Sequence, residues 1–180
     1  MERNGNRNFK LREAIEILER TPDTLDALLR GLSSEWLNGN EGEGTWNAAE
    51  VVDHLIDGEE KNWIPRLTFI LQKGESKPFP PIDRFAHLSL SGDLPFEKKL
   101  EIFKTLRMKN LATLRSMPDL ENHFEKKGLH PAFGPIRVRE LISTWTVHDL
   151  THISQISRVL ANRYKTDVGP WIEYLSILKK

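Results

Sequence analysis

Apolar residues recur at intervals of three and four along most of the chain, which is the spacing of residues on one face of an α-helix. The first such stretch continues past Thr21 and Pro22, a pair that resembles a new helix start with proline at its first position. We therefore predict a first helix that is kinked near Pro22, followed by a loop at residues 38–44, where turn-forming residues are concentrated. The apolar positions of this first stretch are Leu11, Ile15, Leu18, Leu25, Leu28, Leu29 and Leu32.

Two more helices are predicted, one on either side of a proline-rich connection. Asn47 and, three residues later, Glu50 resemble a capping box that starts a helix running towards Leu71, with Pro65 ending or bending it. Residues 74–95 are rich in proline and show little periodicity, so we predict a long connection there. The helix after it carries on one face Leu100, Phe103, Arg107, Leu111 and Leu114.

The longest periodic stretch follows an irregular segment, HPAFGPI, at residues 130–136. Its apolar positions alternate by three and four, as they do on a helix packed in a bundle. We expect this helix to end before Gly169, with a short helix at residues 171–178 after it. The inward-facing stripe consists of Val138, Leu141, Trp145, His148, His152, Gln155 and Val159.

These patterns predict an all-α protein. No run alternates apolar and polar residues between hairpin turns, so we predict no β-sheet. Four long helices with one or two long crossover connections would form a bundle. The 180 residues fit a single domain, 1–180, whose core needs neither disulfides nor a structural metal.

Charge and composition narrow the function. Basic and acidic residues are equal in number, 26 each, so no global positive field favours nucleic acid as a partner. The first ten residues lack the apolar core of a signal peptide, and no run approaches the ~20 apolar residues of a membrane span. We therefore expect a cytoplasmic protein without nucleic-acid or membrane partners. Cysteine is absent, so in any thiol chemistry the substrate must supply the sulfur.

Two histidines interrupt the apolar stripe of the last helix. His148 and His152 are four residues apart on one helix face, close enough to share a metal ion, although two core histidines can also fall at this spacing by chance. Together with Gln155 they would place three polar groups in the core, at about 1 to 3 kcal/mol for each group left unsatisfied. A divalent metal would satisfy both imidazoles.

His54 is the natural third ligand, because it lies inside a predicted helix between apolar residues. His87, His123 and His130 fall in or beside irregular segments, and we interpret them as surface loop residues. Three protein ligands and one open position are the usual arrangement of a catalytic zinc ion. Neutral imidazoles also suit nickel, copper or iron, so the ligands alone do not select the metal.

A cation at this position would lower the pKa of a coordinated water or thiol, which leaves hydrolysis and thiol transfer both open. The segment HDLTH is not the zincin motif HExxH, because Asp149 stands where that motif needs a glutamate as general base. We interpret Asp149 as solvated or salt-bridged, with orientation of a ligating histidine as the alternative. The same solvated position is expected for most of the acids near His54, which are Asp53, Asp57, Glu59 and Glu60.

Other residues close to the histidines have two interpretations each. Gly58, one turn after His54, either leaves space for a ligand beside the metal or permits close helix packing. Trp46 and Trp145 either wall a pocket beside the metal or belong to the core. Residues 74–95 form a connection long enough to cover the mouth of such a pocket.

Several of these segments, in this order, resemble the DinB/YfiT-like superfamily. They are Trp46, VVDHL at 51–55, Gly58-Glu59, WIPR at 63–66, HPAFG at 130–134 and WTVHDLTHISQI at 145–156. The resemblance covers nearly the whole chain, including LERTPDTLDALLRGLS near its start.

The resemblance implies an up-down-down-up four-helix bundle in which three histidines, here His54, His148 and His152, hold a divalent metal, with zinc or nickel favoured. Similar proteins are often homodimers. Some are thiol-dependent transferases or isomerases that use bacillithiol or mycothiol, and others are named metal-dependent hydrolases. The resulting hypothesis is a metal-dependent enzyme that acts on a small-molecule substrate by thiol S-transfer or by hydrolysis. A non-enzymatic metal-binding or stress-related dimeric interaction module is the alternative.

Overall fold

The structure is a computed structural model that describes residues 8–81, 83, 85, 88 and 94–179. Its α-helices are α1 (Leu11–Leu29), α2 (Ser34–Leu37), α3 (Ala48–Lys61), α4 (Trp63–Lys73), α5 (Phe96–Ser116) and α6 (Val138–Asn162). Its strands are β1 (Lys127–His130) and β2 (Gly134–Arg137), and short 3₁₀ helices span Leu120–His123, Gly169–Tyr174 and Ser176–Leu178.

The long helices form a four-helix bundle, which confirms the predicted all-α fold class. Helices α1 and α3 each pack against both α5 and α6. Helix α4 follows α3 after one residue and also packs on α6. Long connections at residues 30–47, 74–95 and 117–137 join the successive long helices. No helix among the described residues is long and apolar enough to cross a membrane.

Pro22 lies inside α1, which runs unbroken from Leu11 to Leu29. Our interpretation of Thr21 and Pro22 as a second helix start is therefore wrong. Because proline has no N–H, it leaves the carbonyl of Leu18 without its usual donor one turn later. The Nη1 atom of Arg107 supplies the missing hydrogen bond, at 2.8 Å from that carbonyl oxygen.

The second predicted helix is divided in two. The capping box at its start is present, because the Asn47 side chain accepts from the Glu50 N–H and the Glu50 carboxylate accepts from the Asn47 N–H, both at 2.8 Å. The break falls at Asn62 rather than at Pro65. Pro65 is the third residue of α4, within the first turn, where a missing N–H costs no helical hydrogen bond.

The absence of a β-sheet was predicted wrongly. Strands β1 and β2 form an antiparallel hairpin with residues 127–130 opposite 134–137. Each strand has only four residues, too few to show an alternating pattern. Gly128 lets the hairpin approach the bundle, since a Cβ atom there would lie 2.6 Å from Ile70 Cγ1. The N–H of Phe79 donates to the Leu129 carbonyl at 2.9 Å, which attaches the following connection to the same hairpin.

The bundle interior contains two apolar clusters with a polar layer between them. Along α5, Phe103 belongs to one cluster and Leu111 to the other, and the fully buried Arg107 lies between them. The predicted inward face of α5 is confirmed, because all five of its residues are buried. In place of the predicted short helix at residues 171–178, two 3₁₀ helices follow α6.

Candidate metal centre and its cavity

Three histidines from two helices meet in the bundle. Helix α3 supplies His54, and α6, which packs against it, supplies His148 and His152 from successive turns. The Nε2 atom of His148 lies 3.1 Å from Nε2 of His54 and 3.1 Å from Nε2 of His152. One ligand atom from each residue lies within 4.8 Å of the others, so the cluster could hold a metal ion.

The spacing of these nitrogen atoms fits a divalent cation. Zinc–nitrogen bonds of ~2.05 Å in tetrahedral geometry place two ligating nitrogens about 3.4 Å apart. The two separations of 3.1 Å are close to that value. Ligation of one cation would satisfy all three nitrogens at once, whereas hydrogen bonding among three imidazole nitrogens requires a proton between each pair.

Gln155 determines which nitrogen of His152 is available. Its Oε1 atom lies 2.8 Å from Nδ1 of His152. An amide oxygen can only accept, so Nδ1 carries the proton and Nε2 presents its lone pair to the cluster. This is the usual arrangement around metal-bound histidines, in which the second ring nitrogen donates to an oxygen atom. Gln155, which the sequence analysis named only as a polar residue of the inward stripe, thus contacts one of the three histidines.

The surroundings of His148 strongly favour its neutral form. Burial, followed by the neighbouring His152 and His54 and by Arg107, lowers the pKa of His148 to about 3. The ring is therefore neutral near pH 7 and does not need to lose a proton before it binds a cation. Its Nδ1 atom is buried and has no hydrogen-bond partner among the described residues.

A buried ionic cluster lies beside the histidines, formed by Arg107, Glu59 and Asp149. The Arg107 guanidinium binds both oxygens of Asp149, at 2.5 and 2.9 Å, and donates to Glu59 Oε1 at 2.8 Å. Asn110 donates to Glu59 Oε2 at 2.9 Å, and Trp145 Nε1 donates to Oε1 at 3.0 Å. Burial raises the pKa of the Glu59 carboxyl, and Arg107 opposes that shift.

Several acids were therefore placed wrongly on a solvated face. Asp149 is salt-bridged, as one interpretation held, but its side chain is completely buried. Glu59 is buried with it, and Asp53 is buried in an ion pair with Lys99 at 2.8 Å. Arg107 could have indicated these buried acids from the sequence, because an arginine on an apolar helix face needs buried carboxylates as partners. Asp57 is also buried, whereas Glu60 is exposed as expected.

A cavity of about 740 Å³ opens beside the histidine cluster, and all three histidines line it. Trp46 lies in its wall, with its ring centre 4.8 Å from that of His54 and 6.4 Å from that of His152. Trp145 does not line it, because this side chain is 2% exposed and belongs to the core. Of the two tryptophans proposed as pocket walls, only Trp46 is one.

Gly58 combines both roles considered for it. It lines the cavity, and a Cβ atom at this position would lie 3.3 Å from Nε1 of Trp63. Trp63 thus approaches the backbone closely, stacks on Trp145 at 5.7 Å and contacts the edge of His148 at 5.0 Å. The glycine allows the indole to pack beside the three histidines.

The connection at residues 74–95 contributes two described residues, Pro81 and Phe85, to the cavity wall. The ring of Phe85 lies edge-on to Trp46 at 6.3 Å. His87 and the other predicted lid positions at 82, 84, 86 and 89–93 lie outside the described residues.

His130 was missed as a cavity residue. We interpreted it as a surface loop residue, but it ends β1 and lines the cavity. The polar side chains of Asn62 and Arg66 also line it and were not singled out. For Arg66 and His130 a signal was available, because they lie in the segments WIPR and HPAFG that carry the family resemblance. His123, by contrast, lies in a 3₁₀ helix and is not among the residues of the cavity wall.

Comparison with known proteins agrees with this geometry. A family model described as the DinB superfamily matches residues 17–156. A protein of Geobacillus thermodenitrificans named "Putative metal-dependent hydrolase" is 29% identical over 149 residues, which are 81% of this chain and 82% of that protein. A protein of the same descriptive name from Oceanobacillus iheyensis is 26% identical over 153 residues, 83% of this chain and 86% of its own.

Among solved structures, the fold is similar to YfiT from Bacillus subtilis, described as a "probable metal-dependent hydrolase with an unusual four-helix bundle topology". The TM-score is 0.72 at 22% identity, with 88% of this chain and 90% of the YfiT chain covered. At that identity the likeness shows the fold. The family match spans most of the chain, including all three histidines, and the protein therefore belongs to the DinB superfamily.

Proposed function

We propose that this protein is a metal-dependent enzyme that hydrolyses a small molecule bound in the cavity beside His54, His148 and His152. The observation that carries the proposal is the convergence of three imidazole Nε2 atoms at the wall of a cavity large enough for a substrate. The names of the relatives from Geobacillus and Oceanobacillus support hydrolysis as the reaction.

The chain's own residues would hold and orient the metal. His54, His148 and His152 supply three neutral nitrogen ligands, and Gln155 fixes the ring orientation of His152. A zinc or nickel ion held there supplies Lewis acidity and lowers the pKa of a water or thiol at its open position. Trp46 and Trp63 give the cavity an aromatic wall beside this position.

A panel of esters, amides and lactones tests hydrolysis directly. Zinc- and nickel-loaded wild type should turn over at least one class, and His148→Ala under the same conditions should not. Gln155→Glu is a matched control that keeps an oxygen acceptor for His152, and it should remain active. The absence of metal-dependent turnover across the panel would contradict hydrolysis.

Thiol S-transfer is the second candidate, with a low-molecular-weight thiol such as bacillithiol as co-substrate. The observation that favours it is the state of the two carboxylates in the cavity wall. Asp57 pairs with Lys61, and Glu140 accepts from both the side chain and the backbone N–H of Arg137. A thiol, with a pKa of about 8.5, needs less help from a general base than water does.

The S-transfer test measures conjugation of several thiols to an electrophile. Metal-loaded wild type should accelerate the reaction relative to His148→Ala. Equal rates for the two proteins with every thiol would exclude this version.

The homodimer implied by the family resemblance is part of the proposal. Light scattering with and without metal should give the mass of two chains in both states if the metal serves catalysis. A dimer that forms only with metal, together with no activity in either assay, would favour the non-enzymatic metal-binding or interaction module.

A further inference from the structure

The cavity wall carries polar side chains that the proposed reaction does not use. Asn62 caps the start of α4 and Arg66 follows one turn later, whereas His130 lies at the end of β1. Arg66 is the only lysine or arginine among the described residues of the wall.

Arg66 and His130 are held against the same aromatic ring, that of Phe79. The Arg66 guanidinium lies over the ring, 5.1 Å from its centre, and the His130 ring meets it edge-on at 6.0 Å. Phe79 is 2% exposed and is fixed by the hydrogen bond from its N–H to the Leu129 carbonyl. Both polar groups of the cavity wall therefore contact one buried ring.

Both groups offer hydrogen-bond donors. Nδ1 of His130 lies 3.1 Å from the Ala132 N–H and 3.2 Å from the Phe133 N–H, and it accepts from both. The proton of the neutral imidazole must then reside on Nε2, which is a donor. The Arg66 guanidinium has donors only, arranged in a fork that matches a carboxylate or a phosphate.

An anionic group, which only accepts hydrogen bonds, is the ligand that best matches the donors of Arg66 and His130. A carboxylate or a phosphate presents the paired oxygen atoms that the guanidinium fork can meet together.

This donor pair lies within reach of the histidine cluster. Trp63 contacts His148, and Arg66 follows three residues later on the same helix, which is about 4.5 Å along its axis. In the same wall, Asn62 has a buried Oδ1 atom without a hydrogen-bond partner among the described residues. One small molecule could therefore contact Asn62, Arg66 and a cation held by the three histidines at the same time.

We propose that Arg66 and His130 form a binding subsite for an anionic group, a carboxylate or a phosphate, at one end of a substrate whose other end reaches the three histidines. This subsite adds a substrate class to the proposed function. Only the contact of the other substrate end with a metal ion rests on that proposed function.

Isothermal titration calorimetry with paired probes tests the subsite. 6-Mercaptohexanoate and its neutral analogue 6-mercaptohexanamide share a thiol that can meet the metal, so their affinity ratio reports the anionic end. In zinc-loaded wild type we expect the acid to bind about tenfold more tightly than the amide. The same preference should persist in the metal-free protein, where both probes bind more weakly. 6-Mercaptohexylphosphonate distinguishes a phosphate-type preference from a carboxylate preference.

Variants locate the effect. Arg66→Gln should abolish the preference for the acid, and Arg66→Lys, which keeps the charge without the fork, should retain part of it. His130→Phe keeps an aromatic ring against Phe79 but loses the donor, and should weaken the preference several-fold. Arg12→Gln, which makes the same charge change at an arginine whose side chain is 83% exposed, should leave it unchanged.

The outcomes separate the subsite from the proposed function. If zinc strengthens neither probe but the acid preference survives and depends on Arg66, the metal role fails and the subsite stands. Equal affinities of acid and amide in both forms of wild type would overturn the subsite. So would an acid preference that persists in folded Arg66→Gln. If the glutamine variant does not fold, an acid preference that keeps its full wild-type value in both Arg66→Lys and His130→Phe would overturn the subsite.

Discussion

Two polar clusters lie side by side inside the bundle, and they differ in how completely their hydrogen bonds are made. The Arg107 cluster, with Glu59 and Asp149, has a partner for every guanidinium nitrogen and for all four carboxylate oxygens. The histidine cluster instead brings Nε2 atoms together and leaves Nδ1 of His148 without a partner among the described residues.

The two clusters nevertheless draw on the same two helices, since Asp149 follows His148 in α6, and His54 and Glu59 both lie in α3. The Arg107 cluster thus finds all its hydrogen-bond partners within the described part of the protein, whereas the histidine cluster does not. A closed ionic network stabilises the fold only as long as all its members are present. A cluster whose acceptors face each other is satisfied only by a bound cation or by protons. We therefore assign folding to the first cluster and function to the second.

The largest predicted effect comes from opening the closed cluster. Arg107→Met leaves two carboxylates buried without their cation and should lower the free energy of unfolding by about 3 to 5 kcal/mol. Urea denaturation of metal-free protein measures the loss. Combining it with Glu59→Gln and Asp149→Asn should recover part of the stability. A loss below about 1 kcal/mol for Arg107→Met alone would show that the cluster does not stabilise the fold.

Acid should act on the histidine cluster before it acts on the ionic one. The pKa of His148 is lowered from 6.5 to about 3 by burial, by His152 and His54 and by Arg107. Between these values the unfolded chain binds the extra proton, so stability present above pH 6.5 is lost as the pH falls towards 3. This single residue accounts for at most ~2 kcal/mol between pH 6.5 and 5.

The measurement is urea denaturation at pH 7 and pH 5 with a chelator present, for wild type and His148→Gln. The variant should lose less stability than wild type over this range. Equal losses would mean that His148 is not held neutral by the fold.

Gln155 sharpens the comparison, because its hydrogen bond with His152 would orient a ligand of the proposed metal. Gln155→Leu removes the acceptor for His152 Nδ1 and should weaken zinc binding about tenfold, the lower end of the range for such outer contacts. Gln155→Glu, which keeps an oxygen acceptor, should not weaken it. Competition with a zinc-responsive dye measures both affinities, and an unchanged affinity in Gln155→Leu would contradict the assignment.

The smallest predicted effect lies at the edge of the ionic cluster. Proline in a helix interior is about 3 kcal/mol less favourable than alanine. Because Arg107 already donates to the Leu18 carbonyl, Pro22→Ala should raise the free energy of unfolding by less than about 1 kcal/mol. Thermal or urea denaturation checks this value. A gain near 3 kcal/mol would show that Arg107 does not compensate for the proline.

The sequence predicted those features that leave a periodic trace. The buried face of α5 and the stripe of α6 follow from apolar spacing. His148 and His152 are recognisable because they are polar residues at positions of this stripe. His54 could be added because it also lies within a helix. These inferences use contacts within one element, which repeat every three or four residues.

The features that could not be predicted depend on contacts between distant parts of the chain. Helix α1 continues past Pro22 because Arg107, 89 residues from Leu18, supplies a hydrogen bond. Asp149 and Glu59 are buried because the same arginine neutralises them. His130 enters the cavity through a hairpin whose strands are too short for a pattern.

Elemental analysis of tag-free protein tests the central claim most directly. Wild type and the variants His54→Ala, His148→Ala and His152→Ala would be purified in parallel, reconstituted with zinc or nickel and dialysed. The account predicts about one divalent ion per chain in wild type and none retained in each variant, with all four proteins folded. Wild type that retains no divalent ion after reconstitution would contradict it, and the three histidines would then be core residues.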